Sequence, residues 1–254
     1  MLSKRHTEIM RMLADEGTVT IAELAARLGV SLETVRRDVR PLTENGAVLK
    51  IHGAVGLAGQ VGEAPFQRRM RENADAKRRI AREMAGLIQD GDSVMLDTGT
   101  TTSLVARELL GHRRLTVVTN SSDIARTLAT VNGNKVYMAG GELRSDSGAA
   151  FGVSAIEFIS KFSVAHAIIS AGAIDAGSGV MDFDLEEAEF ARMMLSCGEK
   201  TYVVTDHSKF GRRGLVLVSG FHAVGHLVTD LPVDDDIAMA LEEHGTRLVV
   251  AAKP

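Results

Sequence analysis

From Ser93 onward the chain alternates short apolar runs with helical stretches. The runs are "SVMLD", "LTVVT", "KVYMA", "AHAIIS", "TYVVT", "AVGHLVTD" and "RLVVAA". Runs of this length, rich in Val and separated by helix, predict a mainly parallel sheet covered on both faces. That α/β architecture also predicts where function sits. Ligands bind outside the carboxyl ends of the strands, so the residues that follow each run matter most.

The first run is followed by "LDTGTTTS", and a helical pattern starts at once. Backbone amides and the positive end of that helix favour an anion, especially phosphate. Gly99 permits close backbone approach, and Thr98, Thr100, Thr101 and Thr102 add hydroxyls. The loop has neither the lysine of a P-loop nor the glycine spacing of a dinucleotide fingerprint, so no nucleotide cofactor is expected. Taken alone, threonines at a helix start serve more often as caps than as ligands. The other strand ends add weight to the ligand reading. Thr119 and Asn120 follow the second run, Gly140, Gly141 and Arg144 the third, and Asp206 and Lys209 a later one. Together they place polar, amide-rich and cationic groups on one sheet edge, which suits a small polyhydroxylated anion.

Upstream, to about Val55, the pattern is helical and ends in a short strand pair. Thr20 and Glu23 form a capping box, Gly29 is a natural helix stop, and Ser31 is the next N-cap. Two short helices joined by a glycine-containing turn match a helix-turn-helix, whose second helix enters the major groove. Ser31, Leu32, Glu33, Thr34, Arg36 and Arg37 then face DNA, with Thr34 able to meet a thymine methyl and the arginines a guanine edge or phosphates. Val35 and Val39 pack inward. The following "GAVLKIHGAV" reads as a wing, with Lys50 and His52 near its turn for phosphate or minor-groove contact. The bland alternative is a helical hairpin with a solvated charged face. Net charge is only −4, so any DNA affinity must come from such a local patch. Pro41 predicts a kink or an early end of the second helix near Arg40.

The stretch "VSLETVRRDVRPL" followed by "GAVLKIHGA" resembles the winged helix-turn-helix of the DeoR family of bacterial transcriptional regulators. The landmarks "DTGTTT", "VVTNS", "AGGELR", "FDLEEAEFARMM" and "TDHSKFG" resemble that family's effector domain, which is similar to sugar-phosphate isomerases and deaminases of the ribose-phosphate-isomerase type. The resemblance implies a phosphorylated sugar or sugar-derivative effector. The threonine loop would hold phosphate with help from Lys209, Asp97, Asn120, Asp175 and Glu187 would meet sugar hydroxyls, and Arg144 is a further contact. Two positions depart from the family. Ala54 stands where the wing commonly has a second glycine. Ala191 stands where the "EAEFARMM" helix often has a lysine, although Arg192 remains.

The expected organisation is a DNA-binding domain at 1–57, a linker at 58–73 and an effector-binding and oligomerisation domain at 74–254. The expected function is a ligand-responsive regulator of carbohydrate genes, a repressor, which binds operator DNA as a homo-oligomer, dimer or tetramer. A second reading is a sugar-phosphate isomerase or deaminase with an accessory DNA-binding head, for which Asp97, Asp175, Glu187 and Lys209 would supply titratable groups. A third is a DNA-binding scaffold with an empty body. Eight histidines form no metal-spaced pair and no obvious triad, so neither metal nor catalytic residues are expected. The single cysteine, Cys197, reads as a small buried hydrophobe and fits a reducing cytoplasm. No leader and no membrane span are expected.

Overall fold

The computed structural model describes residues 4–16, 18–51, 54–57 and 64–252. The chain divides into two compact units, Met1–Arg68 and Arg69–Pro254.

The first unit contains α1 (Lys4–Glu16), β1 (Thr18–Thr20), α2 (Ile21–Leu28), α3 (Leu32–Glu44), β2 (Val48–Ile51) and β3 (Ala54–Leu57). A one-turn helix, α4 (Phe66–Arg69), runs across the division. The caps form as the sequence predicts. Thr20 Oγ1 accepts the Glu23 N–H at 3.1 Å, and a Glu23 carboxylate oxygen accepts the Thr20 N–H at 2.9 Å. Such caps stabilise a helix by about 1 kcal/mol. Gly29 ends α2 in the left-handed region at φ 63°, and Ser31 Oγ accepts the Thr34 N–H at 3.2 Å to open α3. Ile9, Leu13, Leu24, Val35, Val39, Leu42, Val48 and Val55 make the core of this unit. Burial of Val35 and Val39 turns Arg36, Arg37 and Arg40 outward on the opposite side of α3.

The early end foreseen at Pro41 does not occur: α3 runs unbroken to Glu44. Pro41 stands in the final turn, so its ring removes one hydrogen bond, and its own carbonyl accepts the Asn45 N–H at 3.0 Å. The buried Leu42 and an Arg40–Glu44 ion pair at 2.9 Å hold that turn in place. Strand β1 escaped the pattern reading because three residues are too few to show alternation. It pairs antiparallel with β3, giving a sheet in the order β1-β3-β2. Of the expected linker, residues 58–63 lie outside the described residues, and Phe66–Arg69 is helical.

The second unit begins with α5 (Ala74–Ala85) and continues through β4 (Ser93–Leu96), α6 (Thr100–Glu108), β5 (Thr116–Thr119), α7 (Ser122–Leu128), β6 (Lys135–Met138), α8 (Val153–Ile159) and β7 (Val164–Ser170). Then come β8 (Ala173–Asp175), β9 (Gly179–Asp182), α9 (Leu185–Cys197), β10 (Gly198–Val204), β11 (Val216–Ser219), β12 (His226–Thr229), α10 (Asp235–Glu243) and β13 (Arg247–Val250). The seven foreseen runs form one parallel sheet in the order β13-β12-β10-β7-β4-β5-β6. Alternate residues of each strand face two separate cores. Met95, Ala167, Val203 and Leu227 meet α8, α9 and α10, while Leu96, Ile168, Val204 and Val228 meet α5, α6 and α7. Cys197 is buried and unpaired as a disulfide.

Strands β8, β9 and β11 form a separate antiparallel sheet that the sequence reading did not foresee. Its strands are three or four residues long. The apolar β9 residues sit among glycines, which mask the pattern.

The topology creates one reversal. The chain lays down β4, β5 and β6 in one direction, then returns to place β7 on the other side of β4. In open α/β sheets a reversal of this kind is where ligands bind.

Candidate functional site

The threonine loop leaves β4 at this reversal. Asp97 is the first residue beyond the strand, and Ser170 is the last residue of β7. One Asp97 oxygen, Oδ2, accepts the Ser170 N–H at 2.8 Å and the Ser170 hydroxyl at 3.0 Å. The other, Oδ1, is buried and has no hydrogen-bond partner. A buried carboxylate oxygen costs about 1–3 kcal/mol unless a ligand or water meets it, and the Thr102 hydroxyl, which also acts on this carboxylate, offsets part of that cost.

Gly99 lies between Asp97 and α6 and is that helix's N-cap. A Cβ there would sit 2.1 Å from Ser170 Oγ, so only glycine lets the loop approach β7 this closely. The expectation that the threonines cap the helix is corrected by this placement: Gly99 provides no side-chain cap bond. Thr102 instead donates to the carbonyls of Asp97 and Gly99, both at 3.1 Å, and so braces the loop. Thr98 donates to Asn120 Oδ1 at 3.2 Å, which ties the loop to the end of β5. Thr100 and Thr101 are buried in the first turn of α6. The result is a nine-residue helix whose first turn has no side-chain cap, with a fixed glycine and an orphan carboxylate oxygen beside it. An oxyanion bearing hydroxyls is the chemistry that completes such a site.

Other foreseen ligand contacts are used differently. Asn120 is fully buried, and its Nδ2 donates to the Ala150 carbonyl at 2.9 Å, so it positions Thr98 from below. Arg144 donates to Asp184 at 2.8 Å, to Glu186 at 2.6 Å and to Glu187 at 2.9 Å, and it lies 4.2 Å above the Phe151 ring. Arg144 and Glu187 therefore latch the loop after β6 onto the first turn of α9. Both candidate contacts are thus engaged within the protein, and a ligand there would have to share them with these ion pairs. In the β8–β9 turn the Ser178 hydroxyl, and after it the Ser178 N–H at 2.9 Å, hold the Asp175 carboxyl below the usual range. It belongs to the small sheet, whose β8 meets the turn after β10 through a bridge between Ile174 and Phe210. Gly140 and Gly141 are exposed just beyond β6. Lys209 is half-buried in the short turn after β10, where its N–H bonds to the Asp206 carbonyl at 3.1 Å. Ala191 is buried in the main core, so the position of the missing lysine faces packing.

Two groups at this edge were missed. Ser170 carried a signal, since it ends the "AHAIIS" run. Arg69 carried none, because only the fold brings its charge near Asp97. Burial pushes the Asp97 carboxyl up to about 6, against the pull of the Ser170 N–H, the Thr102 and Ser170 hydroxyls and, last, the Arg69 charge. The folded carboxyl thus binds its proton more tightly than an ordinary one at 3.8. Its contribution to stability is full below about pH 4 and is lost as pH rises through 6. Asp97→Asn is therefore expected to stabilise the chain at pH 7.5, by up to about 3 kcal/mol, and by little at pH 4. Denaturant unfolding at the two pH values checks this, and a variant less stable at pH 7.5 would make Asp97 a structural group.

In the first unit, Ile21, Glu33, Arg36, Arg37, Arg40, Lys50 and Ala54 line a concave surface of about 450 Å³. Arg36, Arg37, Arg40 and Lys50 are exposed. Glu33 reaches Arg36 only at 3.8 Å, a loose surface pair that leaves the guanidinium available. Leu32 is exposed, and the Thr34 hydroxyl lies 2.9 Å from Ser31 Oγ. Arg40 was not foreseen as part of this surface, although its spacing from Arg36 and Arg37 by one helical turn was the available signal. His52 lies outside the described residues. Among the described residues no group of three His, Cys, Asp or Glu side chains is placed to hold a metal ion. No helix among them is long and apolar enough to cross a membrane.

Comparison with known proteins bears on both surfaces. The DeoR-like helix-turn-helix domain matches residues 5–61, and the DeoR C terminal sensor domain matches residues 72–231. The glycerol-3-phosphate regulon repressor of Escherichia coli (strain K12) is 33% identical over 246 residues, covering 97% of this chain and 98% of its own. The HTH-type transcriptional repressor CsqR of the same organism is 35% identical over 226 residues, covering 89% and 87%. Among solved structures, the ribose 5-phosphate isomerase A of Methanocaldococcus jannaschii matches 55% of each chain at 17% identity, with a TM-score of 0.41, too distant to carry a functional argument.

Proposed function

The chain belongs to the DeoR family, and we propose that it is a transcriptional repressor whose operator binding is released by a phosphorylated sugar or a related phosphorylated polyol. The single observation that carries the effector half is the uncapped first turn of α6 beside the orphan Asp97 Oδ1. Phosphate takes the amides of the first turn, a neighbouring hydroxyl of the ligand donates to Asp97 Oδ1, and Lys209 adds positive charge from the β10 end. The DNA half rests on the exposed row Arg36, Arg37, Arg40 and Lys50, with Ser31, Leu32, Glu33 and Thr34 at the leading end of α3. Relatives named as repressors favour sensing over turnover at the Asp97 site. The protein acts on double-stranded operator DNA as a homo-oligomer in the cytoplasm.

A thermal-shift screen of phosphorylated sugars and polyols, with hits tested for release of operator DNA, decides the matter. Stabilisation by a phosphorylated compound, absent with its dephosphorylated parent, is the expected result. A ligand present at 100 times its Kd stabilises the fold by about 2.7 kcal/mol. Turnover of a hit, lost in Asp97→Asn, would instead support an isomerase or deaminase.

A further inference from the structure

Lys77 is a cation buried in α5, with only 3% of its surface exposed. Its ammonium donates to the Arg69 carbonyl at 2.6 Å and to the Glu72 carbonyl at 2.8 Å, and lies 3.9 Å from the Asp206 carboxylate. A buried ammonium is held only where such partners compensate its lost hydration. The sites it chooses are informative. Arg69 is the first residue of the second unit, and Asp206 stands at the end of β10.

Asp206 has a second duty. Its Oδ1 accepts the Ser208 N–H at 3.1 Å and the Ser208 hydroxyl at 2.6 Å, which builds the turn that carries Lys209. The same oxygen accepts Asn73 Nδ2 at 2.9 Å. One carboxylate therefore joins the turn bearing Lys209 to the segment by which the chain enters this unit. Within the first unit, Arg68 Nη1 donates to the Gly46 carbonyl and lies 3.4 Å from the Asn45 carbonyl. Those carbonyls belong to the turn that ends α3. Adjacent residues thus anchor to the end of the DNA-reading helix and to a buried clamp under the sheet edge, with one peptide bond between them.

We propose that Lys77 and Arg68 are positioning residues that couple the sheet-edge site to the DNA-reading helix through the Arg68–Arg69 peptide. The inference rests on the function proposed above. An anion drawn to Lys209 shifts the turn built on Asp206. Asp206 shares its charge with Lys77, so the hold on the Arg69 and Glu72 carbonyls changes, and Arg68 passes the change to the turn after α3.

The test uses the full chain and an operator duplex selected by the wild type from random DNA. Glycerol 3-phosphate, ribose 5-phosphate and inorganic phosphate serve as probes. Operator Kd is measured with and without each probe, and probe Kd is measured directly. Lys77→Met and Arg68→Ala are expected to keep both separate affinities within about threefold of wild type while the probe-induced change in operator Kd falls by about tenfold or more. Arg68→Lys, which can still donate to a carbonyl, is expected to restore part of the response, a rescue that a merely structural defect would not show. Arg68 is exposed, so Arg68→Ala carries the test if Lys77→Met fails to fold. A full wild-type response in Arg68→Ala overturns the coupling role. So does a Lys77→Met chain that loses probe affinity in proportion to its response, because Lys77 would then belong to the binding site. A wild type whose operator affinity no probe alters overturns the proposed function itself, and the coupling role with it.

Discussion

Gly99→Val is expected to yield a chain that still binds operator but is no longer released by the effector. The effect is steric before it is chemical. The first added carbon would lie 2.1 Å from Ser170 Oγ and 2.7 Å from Ser170 Cβ, and a branched side chain makes both collisions worse. The loop must move away from β7. That movement separates Asp97 from the Ser170 N–H and hydroxyl and turns the first amides of α6 off their target. Hydrogen bonds to charged groups contribute about 1.5–3 kcal/mol each, so losing two of them weakens phosphate binding by about 100-fold or more. Calorimetric titration with a phosphorylated hit measures the loss. The DNA surface lies wholly in the other unit, so basal operator affinity is expected to hold. Unchanged effector affinity in a folded Gly99→Val chain would remove the phosphate from this loop.

The opposite phenotype is expected of Arg36→Ala combined with Arg37→Ala: effector binding persists and specific operator binding fails. Both side chains are exposed on the outer side of α3, and the nearby carboxylate of Glu33 is a loose partner for Arg36. Removing them therefore costs the fold little. A bidentate arginine–guanine contact discriminates by about 1–3 kcal/mol, so the pair accounts for about 2–6 kcal/mol, at least a 30-fold loss. Titrations at several salt concentrations separate the two possible roles. If the arginines read bases, specific binding falls more than binding to random DNA. If they only touch phosphates, the two fall together, and the slope of log K against log salt shrinks by about 0.9 for each phosphate that is no longer neutralised. An unaltered operator affinity would place the DNA surface elsewhere.

The parts of this molecule that announced themselves in sequence are those where a local rule and the fold agree. Each of the seven apolar runs became a parallel strand; the inner five are largely buried, and only the edge strands β6 and β13 stay half-exposed. The capping box at Thr20 and the N-cap at Ser31 act over three residues and formed as read. The rule applied to Pro41 was also local, and its early-end alternative did not occur, because Pro41 falls in the final turn, where the buried Leu42 packs into the core. Strands β8, β9 and β11 are short and hold together by pairing across distance, which no window of residues records.

The candidate site divides along the same line. Asp97, Gly99 and the threonines sit in one loop, and their placement at a strand end followed from the alternation alone. Their partners came from elsewhere in the chain: Ser170 from the end of β7, and the charge of Arg69 from the entrance to the unit. Arg144 and Glu187 were sensible choices by residue type, and both turned out to be engaged with each other. A sequence shows which residues can bind a ligand. It does not show which of them have already found a partner within the protein.

One ligand event and one DNA event are expected to share a single free energy. Linkage makes this measurable in both directions. The most direct measurement is the affinity of the wild type for a phosphorylated hit, taken by calorimetry with and without saturating operator duplex. Operator DNA is expected to weaken that affinity by the same factor by which the compound weakens operator binding, about 5- to 150-fold. Equal affinity in the presence and absence of operator would contradict the claim.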